Sequence, residues 1–265
     1  MSSQHKKPSS DRRTGLIALA VTVAVVLVGI GGYTWHNHQS QPEPSRRIIA
    51  LTFDDGPHPG YTDQLLDILR EKGVPATFFV TGRHAELYPE LIKREVAEGH
   101  VIGNHSYSHR PFNLLTDDQQ FNELLGTQQI IHQITGHSPK FIRVPMGRET
   151  PGSQAAVRKL GLVGSVGWAF NKQGTREDDW KCTGADKTLR FMQDATQPGA
   201  ILLAHDGFEV TACADQLTWL REYIDWARSQ SYEFGLLHID DKPNEQNMYV
   251  WARVVPVADA QRWNE

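Results

Sequence analysis

Apolar positions recur along the chain in two alternating rhythms. Short runs rich in β-branched and aromatic residues read as strands: "RIIALTF" (47–53), "ATFFV" (76–80), "HVIGNH" (100–105), "FIRVP" (141–145), "LVGSVGW" (162–168), "AILLAHD" (200–206) and "EFGLLHI" (233–239). Between them, apolar residues fall at helical spacing. In "TDQLLDILREKG" Leu65, Leu66 and Leu69 share one face and Gly73 ends the run. "ELYPELIKREVAEG" reads as a helix up to Gly99, and "TDDQQFNELLGTQQIIHQITG" opens with Thr116 and Gln119 in capping-box spacing. Further helices are predicted in "GSQAAVRKLG", "ADKTLRFMQDAT" and "ADQLTWLREYIDWARSQ". Strand–helix alternation with about seven strands predicts an α/β fold, an incomplete (β/α) barrel first and a doubly wound open sheet second. In either, the site should lie at the carboxyl ends of the strands.

One segment breaks the rhythm. Residues 16–35 are apolar from Leu16 to Ile30 and extend to Trp35, after Lys6, Lys7, Arg12 and Arg13. That is about the 20 residues a membrane span needs, and the basic flank predicts a cytoplasmic N-terminus. Ala18-Leu19-Ala20, the one candidate signal-peptidase motif, sits inside the apolar core, which favours an uncleaved single-pass anchor over a cleaved signal. The organisation expected is a basic tail (1–15), a transmembrane anchor (16–35), a polar linker (36–45), one domain (46–241) and a C-terminal extension (242–265). The domain would then stand outside the cytoplasm, periplasmic or extracellular, tethered to the membrane. Net charge is −4 and no basic run lies in the globular part, so nucleic acid is not an expected partner. Cys182 and Cys213 are the two cysteines, and in an exported domain they predict one disulfide between loops on the catalytic face.

The chemistry gathers at the predicted strand ends. "LTFDDGP" carries Asp54 and Asp55, "NHSYSH" carries His105 and His109, "RVPMG" carries Arg143, and "LLAHDG" carries His205. Asp, Gly and Pro also simply end strands, so the aspartates gain meaning from the rest. His105 and His109, four apart, can grip one ion from a helical turn. With Asp55 they make a His-His-Asp set that leaves positions open for water and substrate. Adjacent strand residues point to opposite sides, so Asp54 is free to act as a general base. Arg143 is expected to keep it ionised through a bidentate pair. His205, after an apolar run, is the candidate general acid.

"TFDDG", "HSYSH", "RVPMG" and "LLAHD", in this order, resemble the motifs of the polysaccharide deacetylases with the NodB-homology domain, a carbohydrate esterase family. The resemblance covers about Arg47 to Asp240. It implies a distorted (β/α) barrel and hydrolysis of N-acetyl groups, a carbon–nitrogen but non-peptide bond, on a GlcNAc-type polysaccharide of the cell envelope or outside it. It implies Asp54 as base, Asp55, His105 and His109 as ligands of one divalent transition metal (zinc first; cobalt, nickel or manganese also), and His205 as acid. Arg143 would orient Asp54, and the Met146 backbone N–H would bind the oxyanion. Met146 stands where the family usually has an aromatic residue. The fourth motif, usually Asp, two residues, then Asp-Trp, ends here in Asp179-Trp180 but has Arg176 at its first position. "NKQGTRED" reads as an insertion that puts Asn171 in that first place. An Asn can hold a hydrogen bond on His205 but stabilises its charged form less well. The Asp that tunes His205, and whether the fourth motif (Asn171, Asp178, Asp179) supports full activity, therefore stay open. Two other readings stay open: a glycan-binding protein without turnover, and a metal hydrolase of a non-sugar amide.

Overall fold

The computed structural model describes residues 46–162, 164–175, 179–207, 217–238, 249–250 and 253–259. The predicted tail, anchor and linker (1–45), Asp178 and Cys213 lie outside the described residues. Among the described residues no helix is long and apolar enough to cross a membrane.

The strands that the hydrophobic pattern marks most strongly form the centre of a parallel sheet. Its order is β3 (Val101–Asn104), β2 (Ala76–Val80), β1 (Ile48–Asp54) and β5 (Ile201–His205). Every residue of β1 and β2 is buried. Strands covered on both faces lose the alternation of a half-exposed sheet and read as continuous apolar runs. Register fixes what meets at the carboxyl end: Asp54 pairs with Phe79 on one side and with His205 on the other, while Val80 pairs with Asn104.

The outer strands are shorter than the sequence predicts. "FIRVP" contributes single parallel bridges at Ile142, to Asn104 and to Ser165. The ladder stops there because the Val144 N–H turns to the Ser165 hydroxyl, at 3.0 Å, and Pro145 has no N–H to give. "LVGSVGW" is reduced to β4 (Ser165–Val166). "EFGLLHI" splits at Gly235 into β6 (Glu233–Phe234) and β7 (Leu236–His238). The Gly235 N–H bonds to Ile49 O, and a Cβ at this glycine would overlap the Val255 carbonyl. β6 pairs with Ile48 and Ile49 of β1, whereas β2 joins β1 only from Leu51 onward. This divergence makes the closure irregular. The extension predicted from 242 supplies β8 (Tyr249–Val250), parallel to β4, and β9 (Arg253–Val255), antiparallel to β7.

The helices follow the pattern more closely. α1 (Tyr61–Lys72) ends on left-handed Gly73. The single helix predicted from "ELYPELIKREVAEG" is two, α2 (Gly82–Leu87) and α3 (Pro89–Ala97). Pro89 explains the break: it biases Tyr88 away from helix and is itself well placed in a first turn. α4 (Asp117–Thr135) carries the predicted capping box at Thr116 and Gln119. α5 (Pro151–Lys159), α6 (Ala185–Ala195) and α7 (Thr218–Ser229) complete the series. Leu65, Leu66 and Leu69 of α1 and Trp219, Tyr223 and Ile224 of α7 pack in one core with Ile49, Leu51 and Phe53 of β1. Each such fully buried side chain contributes about 1.5–3 kcal/mol. That rigid core aims the strand ends.

Candidate active site and metal centre

Asp54 is the last residue of β1 and is buried. The chain then changes hand: Asp55 has φ 76°, a left-handed backbone uncommon outside glycine. Three contacts hold it there. Asp55 N–H donates to Phe79 O at 3.2 Å, the His84 Nδ1–H donates to Asp55 O at 2.8 Å, and the Thr81 N–H donates to Gly56 O at 3.1 Å. The carboxylates of two neighbouring aspartates therefore serve different partners.

His105 and His109 are not on a helix. They lie in a turn after β3, in which Ser106 and His109 are both left-handed, φ 65° and 54°. The turn is built by Asn104, whose Oδ1 accepts from Ser106 N at 2.9 Å, and by Ser106, whose Oγ accepts from His109 N at 3.1 Å. The helical geometry expected for this pair is thus replaced by local side-chain bonds. The rings still converge, with centroids 5.0 Å apart. The Nδ1–H of His105 donates to Arg143 O at 2.7 Å, which turns its Nε2 to the site. That Nε2 lies 3.3 Å and the His109 Nε2 3.2 Å from Asp55 Oδ1.

The ligand atoms of Asp55, His105 and His109 all lie within 4.8 Å of one another. Asp55 Oδ1 is buried and makes no hydrogen bond of good geometry despite two ring nitrogens beside it. Two imidazoles and an orphaned carboxylate oxygen suit a zinc-type ion. Burial, then the charge of His105, holds His109 below the ordinary imidazole range, in the neutral form that ligates. Burial opposes a charge on His105, but Asp54 and Asp55 pull its pKa up. A cation among these groups would answer the same carboxylates, and its binding would displace that proton.

Arg143 is fully buried. Its Nη1 donates to Asp54 Oδ1 at 2.7 Å and lies 2.9 Å from Thr52 Oγ1. Nε and Nη2 donate to Val166 O and Gly167 O, both at 3.1 Å. The contact with Asp54 is therefore a single bond, not the bidentate pair expected, because the other donors are spent on backbone carbonyls. Phe79 and Trp168 enclose the guanidinium, 4.1 Å and 5.6 Å from its carbon to the ring centroids. Met146 follows in the turn Pro145–Gly147, itself left-handed at φ 57°, with its side chain on the surface.

His205 ends β5 beside Asp54. Its Nδ1 lies 2.6 Å from Asp179 Oδ1, and its backbone N–H donates to Asp179 Oδ2 at 2.8 Å. Burial lowers the pKa of His205, but the charge and hydrogen bond of Asp179, helped by Asp55 and Asp54, push it up to about 10. Asp179 thus supplies the carboxylate that the irregular fourth motif left open. Asn171 is excluded: its Oδ1 accepts from Gln173 N and Thr175 N at 3.1 and 2.9 Å, closing its own loop. Cys182, just beyond Asp179, is not a free thiol, while its predicted partner Cys213 lies outside the described residues.

Two contributors were not singled out from the sequence. Thr52 stands two residues before Asp54 and so on the same side of the strand, a signal that was present. His84, in "GRHAEL", carries no local signal.

The chain is similar to known polysaccharide deacetylases. A family model described as polysaccharide deacetylase matches residues 41–165. The chain is 36% identical over 157 residues to a peptidoglycan-N-acetylglucosamine deacetylase of Bacillus cereus, covering 59% of this chain and 55% of that protein. It is 37% identical over 173 residues to a chitooligosaccharide deacetylase of Bradyrhizobium, covering 64% of this chain and 76% of that one. Among solved structures, a family 4 carbohydrate esterase from Streptomyces lividans, in complex with acetate, superposes with a TM-score of 0.65 at 28% identity, over 80% of this chain and 98% of the other.

Proposed function

Because the chain belongs to the polysaccharide deacetylase family, of the carbohydrate esterase 4 type, we propose that it is a metal-dependent deacetylase hydrolysing N-acetyl groups of a GlcNAc-type polysaccharide of the cell envelope or outside it. One observation carries the reading. A carboxylate held by a buried arginine, Asp54, and a histidine held by a buried carboxylate, His205, are register partners on adjacent strands beside a three-ligand cluster.

The roles follow from those contacts. Asp55, His105 and His109 would hold a divalent ion, zinc first with cobalt, nickel or manganese as alternatives, which would supply Lewis acidity to the acetyl group and to the attacking water. Asp54, kept in place by Arg143, takes a proton from that water as the new C–O bond forms at the acetyl carbon. The Met146 backbone N–H donates to the oxygen that gains charge. His205 gives its proton to the nitrogen as the C–N bond breaks, so that acetate and a free amine leave. Met146, Phe170 and Trp180 are exposed by 42%, 54% and 50% and follow strand ends on this side, which supports sugar rings stacking there.

Acetate release tests the reading. The zinc-loaded protein should release acetate from N-acetylglucosamine oligomers or from peptidoglycan fragments. Binding of both without acetate would leave a glycan-binding protein, and turnover only of a non-sugar acetamide would assign a different hydrolase.

For location, we propose an uncleaved span at residues 16–35 with the catalytic domain outside the cytoplasm. A reporter fused after Glu265 should be active only on the outside. An N-terminally trimmed, soluble product would identify a cleaved leader instead.

A further inference from the structure

The residue after the proton donor, Asp206, is fully buried and has no part in the chemistry above. It reaches the metal-ligand turn at three points. Its backbone N–H donates to Asp54 O at 2.9 Å. Its Oδ2 accepts from the Thr62 hydroxyl at 2.7 Å, and the same hydroxyl accepts from His58 N at 2.8 Å. Its carboxylate also lies flat against Gly56, so closely that a Cβ on Gly56 would overlap both of its oxygens. The next residue repeats the close approach, since a Cβ on Gly207 would overlap the Asp55 backbone. The end of β5 is thus pressed into the turn 54–58 along three successive residues, His205, Asp206 and Gly207.

That turn contains the left-handed Asp55. A non-glycine residue persists there only where its surroundings over-determine it. The contacts from Phe79 and His84 hold Asp55 from the β2 side. From the β5 side the turn is held by Asp206, among the described residues the one side chain there that bonds behind it, with Gly207 packed on the Asp55 backbone.

From this packing we infer that Asp206, through Thr62 and Gly56, is a positioning residue that sets Asp55 for metal binding and ties it to the strand that carries His205. The inference rests on the metal centre proposed above. Groups that orient a ligand from behind typically change metal affinity about 10–100-fold when removed. Among the described residues, the Asp206 carboxylate makes its hydrogen bond to Thr62 and not to the ligand atoms of the cluster.

The experiment is zinc affinity of the full chain, measured by competition with a chromogenic chelator. Asp206→Asn and Thr62→Val should each bind zinc more weakly, by about 10-fold or more for Asp206→Asn. Thr62→Ser, which keeps the hydroxyl, should restore wild-type affinity. At saturating zinc KM for an acetylated oligomer should stay unchanged, and the melting temperature of the metal-free protein should fall less than its affinity loss would suggest. The His105→Ala, His109→Ala double variant sets the zero of the titration. Affinities within about threefold of wild type in both variants would overturn the inference while leaving the metal centre intact. Should Asp206→Asn not fold, Thr62→Val decides on the same criterion. A wild-type chain that takes up no zinc would overturn the metal centre and this inference together.

Discussion

Asp54→Asn is expected to keep the fold and the metal and to lose about 100- to 10,000-fold in kcat, the usual contribution of a general base. Asparagine has the same shape and can still accept the Arg143 Nη1 hydrogen bond, but it cannot take a proton from water. The cost to stability should be modest. Removing one partner of a buried pair outright costs about 3–5 kcal/mol, because the other charge is left unanswered. Here Arg143 keeps Thr52 and the carbonyls of Val166 and Gly167, which already carry most of its donors. Steady-state kinetics at saturating zinc, with zinc content and melting temperature on the same samples, separate the effects. Turnover near that of the wild type would show that another group activates the water.

Asp179→Asn should lower kcat by about 100-fold at neutral pH and move the alkaline limb of the pH–rate profile to lower pH. The sign follows from the proton. His205 must be protonated to serve as acid, and activity falls as pH rises through its pKa in the folded protein. With Asp179 present that pKa is pushed up to about 10, against burial. Without the carboxylate, burial acts with less opposition, and the imidazole loses its proton at lower pH. An alkaline limb that does not move would mean that Asp179 orients His205 without holding its charge.

Much of the site was legible because it is written locally. Asp54-Asp55 at the end of an apolar strand, the His105/His109 spacing and His205 after "AILLA" are short-range signals, and parallel strands bring such ends together whatever the loops do. The chain also announced the Thr116 and Gln119 capping box and most helix ends. It misled where a local rule had a competitor. Spacing four apart suggested a helical turn for His105 and His109, but Asn104 and Ser106 offered the backbone side-chain partners and built a left-handed turn. "FIRVP" looked like a strand, but it ends where Ser165 and Pro145 take its donors out of the ladder.

By itself, then, the sequence determined the alternation of strands and helices, the central strands β1, β2, β3 and β5, and which candidate residues stand at their carboxyl ends. These depend on side-chain type and on periods of two and 3.6, which are carried within a few residues. Only the tertiary structure decided the partners. That Asp179 and not Asn171 holds His205, that Arg143 meets Asp54 through one nitrogen, and that Asp206 presses on Gly56 are contacts between residues 26, 89 and 150 positions apart. Their choice depends on the path of each loop and on which donors the backbone has already taken. No window of neighbouring residues contains that information, because the competing acceptors reach the site from distant segments of the chain.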